Sequence, residues 1–317
     1  MGRTDRNVPA LLRGTARRLA GALAVLLGAA TVAFAALQLI PGDPVTVMLG
    51  PGTAATPEVK AQIRAQYGLD QPVAQQYLHY LGRLATGDLG ESYQLRRPVV
   101  DLIGDQLWPT VQLALAALAT AVVLAVAAAV ATAGRHRALR TAGTLAELLA
   151  ASSPTYWIGI LLLTAFSFQL HLFPVAGDQG LPALVLPALT LALPLTGVLA
   201  QVLREGLEAA LAQPFALTAR ARGLAPTAVL LRHALRHAAA SAVTLTGWLS
   251  GSLLGGAVLV ESVFGRPGIG ALSLQGTTNK DMPLVVGLVL LAALVFVAIS
   301  TAVDLLYLAI DPRLRSR

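Results

Sequence analysis

The sequence predicts an all-α protein with several membrane-spanning helices. Its 317 residues are 56% hydrophobic with a mean hydropathy of +0.68, which is too apolar for an ordinary soluble domain. Six segments reach the length of about 20 mostly apolar residues that a helix needs to cross a bilayer. Their approximate bounds are 19–40, 109–133, 148–170, 183–203, 241–263 and 284–308.

The distribution of basic residues predicts the orientation of these spans. With a cytoplasmic N-terminus, 16 of the 23 Lys and Arg residues fall in the cytoplasmic segments 1–18, 134–147, 204–240 and 309–317. Positive charge collects on the cytoplasmic side of membrane proteins, so we expect both termini in the cytoplasm. The net charge of +7 therefore needs no nucleic-acid partner.

The first predicted span has an alternative, a cleaved signal peptide within residues 1–35. Arg17 and Arg18 precede an apolar run that contains Ala33-Phe34-Ala35. That run continues to Ile40, and its length favours a span.

Residues 41–108 are predicted to form a long extracytoplasmic loop with short helices. Helical spacing covers 58–67 and 73–84. Thr56 is placed to cap the first of these helices, and Gly68 is placed to end it.

Several kinds of chemical site are absent from the sequence. There is no cysteine, which excludes disulfides, thiolate metal sites and cysteine nucleophiles. A P-loop requires a lysine after a glycine, and neither Lys60 nor Lys280 follows one. His233 and His237 lie four residues apart, but the glutamate of a zinc protease is missing between them, so we expect no metal site.

Prolines and glycines within the spans indicate kinks and close packing. Pro154, Pro187 and Pro194 each remove a helical hydrogen bond. Gly251 and Gly255 have the spacing that lets helix backbones approach, and we expect packing within one bundle rather than at a subunit interface.

Two carboxylates occur inside the predicted spans, Glu261 and Asp304, and each lies near an end. We expect interfacial or paired groups, because a proton-coupled transporter usually keeps ionisable residues near the membrane midplane. A secondary transporter or channel is thereby disfavoured, and so is a membrane-embedded enzyme, since no paired carboxylates appear. The glycines Gly265, Gly268 and Gly270 are expected to form a turn.

The most distinctive stretch is TARARGLAPTAVLLRHALRHA at 218–238, with four arginines and two histidines. Pro214 and Pro226 suit first helical positions and Gly223 suits a helix stop, so 204–240 is predicted to contain short helices joined by a turn. Two roles fit this pattern. One is a basic helix lying on anionic lipid, and the other is a docking element for a protein that supplies an ATP site.

This stretch resembles the cytoplasmic loop of permease subunits of bacterial ABC importers of the dipeptide, oligopeptide and nickel class. That loop follows the pattern E-A-A-x3-G-x9-I-x-L-P, which Ala219, Gly223 and Leu235 match. The positions that depart from it are Leu217, Thr218, His233 and Arg236.

Other stretches match the class in the same order along nearly the whole chain. They are LIPGDP at 39–44, YGLDQPVAQQYLHYLGRLATGDLGES, SSPTYWIGILLL, LPALTLALPL, GGAVLVESVFGRPGIG and DLLYLAIDPRLR.

The resemblance implies a type I importer permease in the bacterial inner membrane, forming half of a translocation pathway for peptides, with nickel or a metal chelate as the alternative cargo. It implies a second homologous permease, two subunits that bind ATP and Mg, an extracytoplasmic binding protein and surrounding lipid. It assigns the chain itself no catalytic residue and no cofactor. The implied coupling residues are Leu217, Thr218, Ala219, Arg220, Arg222, Gly223, Leu224, Arg232, His233, Leu235 and Arg236.

Three glutamines within the spans are weaker candidates for lining the pathway, although hydrogen bonds between helices explain them equally well. They are Gln112, Gln169 and Gln201.

Overall fold

A computed structural model describes residues 8–39, 44–49, 56–66 and 68–310 of the chain, and 80% of it is helical. Within these ranges no strand forms, and Glu91 and Pro98 make an isolated β-bridge. The helices are α1 (Val8–Leu39), α2 (Pro44–Leu49), α3 (Pro57–Gln66), α4 (Val73–Ala85), α5 (Val99–Thr132), α6 (Arg137–Ser152), α7 (Thr155–Leu162, continued by a π-helix at Leu163–Gln169), α8 (Pro182–Leu211), α9 (Pro214–Ala221), α10 (Pro226–Val229, continued by a π-helix at Leu230–Ala234), α11 (Leu235–Ser250), α12 (Leu253–Val263), α13 (Ile269–Thr278) and α14 (Met282–Ile310).

Three helices in the described part of the chain are long and apolar enough to cross a membrane alone, namely α5, α8 and α14. Two bent pairs raise this number to five if each pair crosses once. The pair α6 and α7 bends by 103°, and the pair α11 and α12 bends by 56°. The predicted span 19–40 lies largely in α1, whose apolar part, Ala20–Ala36, is shorter. The all-α membrane class is confirmed, while the count of six spans stays a prediction.

The helices α5 and α8 are among those that extend beyond the predicted spans. The helix α5 begins at Val99, ten residues before the predicted start at 109, and contains Pro109 in its interior. Asp101 in the first turn favours this start, because a negative charge stabilises a helix N-terminus. The helix α8 continues past 203 to Leu211, since Arg and Glu have high helix propensity and do not end a helix.

Local predictions for the long loop agree with the structure. Thr56 immediately precedes α3, and Gly68 adopts φ 64°, where the Leu69 N–H donates to the Arg64 carbonyl at 2.9 Å. This left-handed glycine ends the helix as expected. Residues 40–43, within the LIPGDP stretch, lie outside the described residues, as do 1–7, 50–55, 67 and 311–317.

The three prolines in the predicted spans differ in whether they break a helix. Pro154 lies at the break between α6 and α7, whereas Pro187 and Pro194 are accommodated within α8.

The predicted packing contact of Gly251 and Gly255 is wrong within this chain. Gly251 lies in the break between α11 and α12, and a Cβ at Gly255 would meet no atom within 4 Å. Gly256 makes the close contact instead, against Leu191 of α8.

The chain divides into two compact units. The first contains Met1–Asp105 and Ser273–Ala298, and the second contains Gln106–Leu272 and Ile299–Arg317. In the first unit, the Phe34 ring of α1 stacks on Tyr80 of α4 at a centroid distance of 5.6 Å.

The core of the second unit is built around α8. The helix α5 presents a buried alanine at every fourth position, which permits close approach of its backbone. These alanines are Ala117, Ala121, Ala125 and Ala129, and the spacing continues to Ala133, just after the helix. The α8 residues in the same core include Leu191, Leu195, Leu199, Leu203 and Leu207.

Candidate functional site

The basic segment, defined here as residues 212–238, follows α8 directly. Two residues, Ala212 and Gln213, separate the end of α8 from α9. Gln213 is extended, with φ −74° and ψ 153°, and Pro214 follows it at the start of α9. Pro226 begins α10 in the same way. Both prolines therefore start helices, as predicted.

Gly223 forms the turn between these short helices. Its φ is 81°, its N–H donates to the Arg220 carbonyl at 2.9 Å, and the Leu224 N–H donates to the Ala219 carbonyl at 3.2 Å. This is the hydrogen-bond pattern of a glycine that ends a helix. A Cβ at Gly223 would meet no atom within 4 Å, so open space lies beside this turn.

The inner side of the basic segment has a small core of its own. Ala216, Ala219 and Val229 are buried together, and the partly buried Leu211, Phe215 and Leu224 pack against them. The Phe215 ring also stacks on His237 of α11, with centroids 4.8 Å apart. Ala219 is one of the implied coupling residues, and its side chain lies in this internal core. The segment is thus held to α8 and α11 rather than extended into solvent.

The outer side of the basic segment is exposed and positively charged. Leu217, at 71% exposure, lies on this side, and Leu224 and Leu235 are half-buried. The arginines of this side take part in none of the ion pairs found in the described part of the chain. The other exposed candidates are Thr218, Arg220, Arg222, Gly223, Arg232, His233 and Arg236.

A buried ion pair lies between α6 and α8. The Arg204 guanidinium donates to both carboxylate oxygens of Glu147, with Nε–Oε1 at 3.2 Å and Nη2–Oε2 at 2.6 Å. The two side chains are 8% and 5% exposed. The sequence did not predict this pair, and both residues lie in segments predicted to be cytoplasmic, 134–147 and 204–240. One feature of the sequence could have indicated the pair. Each residue directly adjoins the predicted cytoplasmic end of a span, and consecutive antiparallel helices place such ends at the same depth in the membrane.

A second buried carboxylate organises the turn between α12 and α13. Glu261 is fully buried and accepts hydrogen bonds from the Thr110 hydroxyl at 2.6 Å and the Ala271 N–H at 3.0 Å. A Cβ at Gly268 or Gly270 would overlap this carboxylate or the α12 backbone. The predicted turn is confirmed at Gly265 and Gly268, whereas Gly270 lies in the first turn of α13. Glu261 is hydrogen-bonded to its neighbours, in agreement with a paired group, and its position relative to the membrane interface stays a prediction. The Asp304 side chain lies outside the described residues.

The same turn carries a buried arginine. Arg266 is 2% exposed, and its Nη2 donates to the Gln112 side-chain oxygen at 3.0 Å. Its Nε and Nη1 have no hydrogen-bond partner among the described residues. Gln112 thus bonds to the turn between two other helices, whereas Gln201 donates to Glu205 on its own helix at 3.2 Å and Gln169 is exposed.

The first unit contains a polar cluster of its own around Asp281, which is 1% exposed. Its carboxylate accepts hydrogen bonds from the Ser92 hydroxyl and from the backbone N–H groups of Tyr93 and Gln94, the latter two at 3.2 Å. Asp281 thereby fixes the end of the long loop to the start of α14.

Arg83 and Asp88 form a surface pair in the same unit. The Arg83 Nε donates to the Asp88 carboxylate at 2.8 Å, and the Gly90 N–H also donates to it at 2.8 Å. The Arg83 hydrogen bond, followed by that of Gly90, lowers the pKa of Asp88 below its usual value.

Comparison with protein families identifies the chain. Residues 100–316 match the family described as binding-protein-dependent transport system inner membrane component, and residues 11–114 match the N-terminal family of the same membrane components. The chain belongs to this permease family. The matches together cover both units, including the basic segment and the turn around Glu261. The family favours a binding-protein-dependent importer over a secondary transporter, a channel or an enzyme.

Curated relatives match the permease over almost its full length. The glutathione transport system permease protein GsiC of Salmonella choleraesuis (strain SC-B67) is 36% identical over 306 residues, covering 96% of this chain and 99% of the relative. A protein of Brucella abortus (strain 2308), provisionally named a peptide transport system permease protein, is 37% identical over 308 residues, covering 94% and 98%.

Solved structures show the same fold at low sequence identity. An inward-facing structure of the MetNI methionine ABC transporter matches with a TM-score of 0.54 and 18% identity, covering 66% of this permease and 96% of that chain. An amino acid ABC transporter crystallised with histidines matches with a TM-score of 0.51 and 17% identity, covering 65% and 93%. The ABC importer permease fold is therefore shown.

Proposed function

We propose that this permease imports small peptides, and that its basic segment docks onto an ATP-binding partner subunit. The observation that carries the docking role is the two-sided construction of the segment. Its inner core fixes it to α8 and α11, while Leu217 and the arginines face outward without ion-pair partners among the described residues. Exposed charged pairs contribute about 0–1 kcal/mol each, so shape and apolar contact around Leu217 are expected to dominate docking.

The remaining parts of the machinery follow from this assignment. A second permease completes the pathway, two partner subunits bind ATP and Mg and hydrolyse the nucleotide, and an extracytoplasmic binding protein delivers the cargo. Both termini and the basic segment lie in the cytoplasm, in agreement with the basic residues of these segments. The long loop that contains α3 and α4 then faces the binding protein.

A peptide cargo is supported by the names of the relatives, because glutathione is itself a peptide. Of the three pathway candidates, Gln112 accepts a hydrogen bond from Arg266, in the turn between α12 and α13. Nickel or a metal chelate is the alternative cargo. Mass spectrometry of the ligand retained by the co-purified binding protein distinguishes a peptide from a metal or metal chelate.

The docking role is tested by adding one side chain in the open space beside Gly223. Gly223→Asp is compared with Gly177→Asp, because these glycines have φ of 81° and 104° and neither has a described atom within 4 Å of a Cβ. Gly177 lies outside both the basic segment and the long loop. We expect Gly223→Asp to insert normally but to lose ATP-dependent uptake, while Gly177→Asp retains it. Equal uptake by both variants would overturn the docking role. A wild-type chain that purifies without any ATP-binding subunit would overturn the whole assignment.

A further inference from the structure

Stability alone does not account for the ion pair between Glu147 and Arg204. Replacing a buried ion pair by apolar side chains of similar size is often neutral or stabilising, because removing charges from water is costly. The surroundings on α8 are apolar, since Leu203 and Leu207, which precede and follow Arg204 on this helix, are both buried. The contribution of the pair is instead geometric. A guanidinium that donates to both oxygens of a carboxylate fixes the relative position of the two helices.

The pair lies in the middle of an antiparallel contact between α6 and α8. At one end, Gly197 of α8 approaches the backbone of α6 so closely that a Cβ would overlap the Glu147 carbonyl oxygen. At the other end, Arg140 of α6 lies 3.8 Å from Glu208 of α8, and this pair is more exposed. The contact therefore contains a close glycine, the buried two-bond pair of Arg204 with Glu147 (called the fork below) and a longer, more exposed pair. An exposed pair contributes about 0–1 kcal/mol, so the fork is the polar contact that fixes the two helices.

The helix α8 connects this contact to the basic segment. Arg204 lies seven residues before Leu211, the last residue of α8, and Leu211 packs against the inner core of the basic segment. Farther along α8, Gly206 lies against Ala238, where a Cβ on the glycine would be 3.0 Å from the alanine Cβ. A movement of the basic segment thus reaches α8 directly, through a continuous helix and packed side chains.

The helix α6 ends at the sharpest break in the described spans. Pro154 separates it from α7, and the two helices bend by 103°. A break of this kind is a place where a helix can change direction relative to its neighbours. A rigid connection between α6 and α8 would carry motion of the basic segment to this break.

We propose that Glu147 and Arg204 are positioning residues for coupling, which lock α6 to α8 so that motion of the basic segment is transmitted to the break at Pro154. This inference rests on the proposed docking of the basic segment. Without the fork, α6 slides along α8. ATP hydrolysis by the partner subunits then rearranges the translocation pathway less efficiently. The expected defect is therefore in the number of peptides transported per ATP hydrolysed, not in assembly.

The test uses the whole importer, purified with its partners and reconstituted in liposomes with an isotope-labelled mixture of di- and tripeptides. The double variant Glu147→Leu with Arg204→Met replaces the pair by apolar side chains. We expect it to assemble, to melt at a similar temperature and to hydrolyse ATP, with transport per ATP lowered by about threefold or more, the size found for mutations along coupled networks. Arg204→Lys keeps the buried charge balance but loses the fork, and it reports the same ratio if the double variant fails to assemble.

Arg140→Gln with Glu208→Gln is the matched control, because it removes a more exposed pair from the same helix contact. We expect its transport per ATP to equal that of the wild type. A wild-type ratio in both the double variant and Arg204→Lys would overturn the inference alone. Absence of ATP-dependent uptake by the wild type would overturn the proposed function and, with it, this inference.

Discussion

Gly268 lies against the carboxylate of Glu261, so closely that any side chain at position 268 would overlap it. The carboxylate in turn accepts hydrogen bonds from Thr110 of α5 and from the Ala271 N–H at the start of α13. One acidic group thus joins three helices, and the glycine is required by close approach rather than by its backbone conformation. This relationship explains why a fully buried carboxylate is retained at the end of a span.

Gly268→Ala is expected to destabilise the permease. A methyl group at this position displaces the Glu261 carboxylate, and overpacking of a tight site costs about 1–3 kcal/mol. Gly255→Ala is the matched control, since a Cβ there would meet no atom within 4 Å and alanine favours the helix. Thermal melting of the purified proteins measures the difference. Equal melting temperatures for the two variants would contradict the contact.

Thr110→Val is expected to destabilise the same cluster by another route. The Thr110 hydroxyl donates to Glu261 at 2.6 Å and accepts from the Ile269 N–H at 2.8 Å. Valine keeps the shape but leaves a buried carboxylate short of a donor, which costs about 1–3 kcal/mol. Thr196→Val serves as the control, because its hydroxyl bonds to the Ala192 carbonyl of its own helix. The prediction fails if both valine variants melt at the same temperature.

Local features of the fold could be predicted from the sequence, because their causes are local. Pro214, Pro226 and Gly223 act through their own backbone conformations, and the structure places each at the expected helix start or turn. The start of α5 could not be located in this way. Hydropathy alone places the start of the apolar run near Pro109, whereas the helix begins ten residues earlier at Val99.

Contacts between distant residues were the part that the sequence did not predict. Glu147 and Arg204 are 57 positions apart, and their pairing depends on the antiparallel packing of α6 on α8. Arg266 lies between the predicted spans 241–263 and 284–308, where the sequence gives no sign of burial, yet it is 2% exposed beside Gln112. Composition and spacing show which residues are present. Predicting that a polar side chain is buried also requires its tertiary partners to be known.

Leu217→Asp is expected to weaken association with the ATP-binding subunit. Leu217 is 71% exposed on the outer side of the basic segment, so the substitution leaves the internal core unchanged. A charged group in an apolar contact of an interface lowers the amount of co-purified partner about tenfold, which corresponds to about 1.4 kcal/mol. Leu78→Asp, at an exposed leucine of α4, is the control and is expected to retain the partner. Similar partner recovery from both variants would exclude Leu217 from the interface.

The turn after α4 is expected to lose protection from hydrogen exchange only in acid. The pKa of Asp88 is lowered from its usual value of 3.8, chiefly by the Arg83 hydrogen bond, so the charged form persists to lower pH in the folded protein. The stabilisation is therefore complete above pH 3.8 and is lost as the pH falls through the lower folded value. The Gly90 N–H reports this change directly, because it donates to Asp88. After correction for intrinsic exchange, its protection should fall at a higher pH in Arg83→Gln than in the wild type, and it should be independent of pH in Asp88→Asn. The same midpoint in the wild type and Arg83→Gln would show that Arg83 does not set the pKa of Asp88.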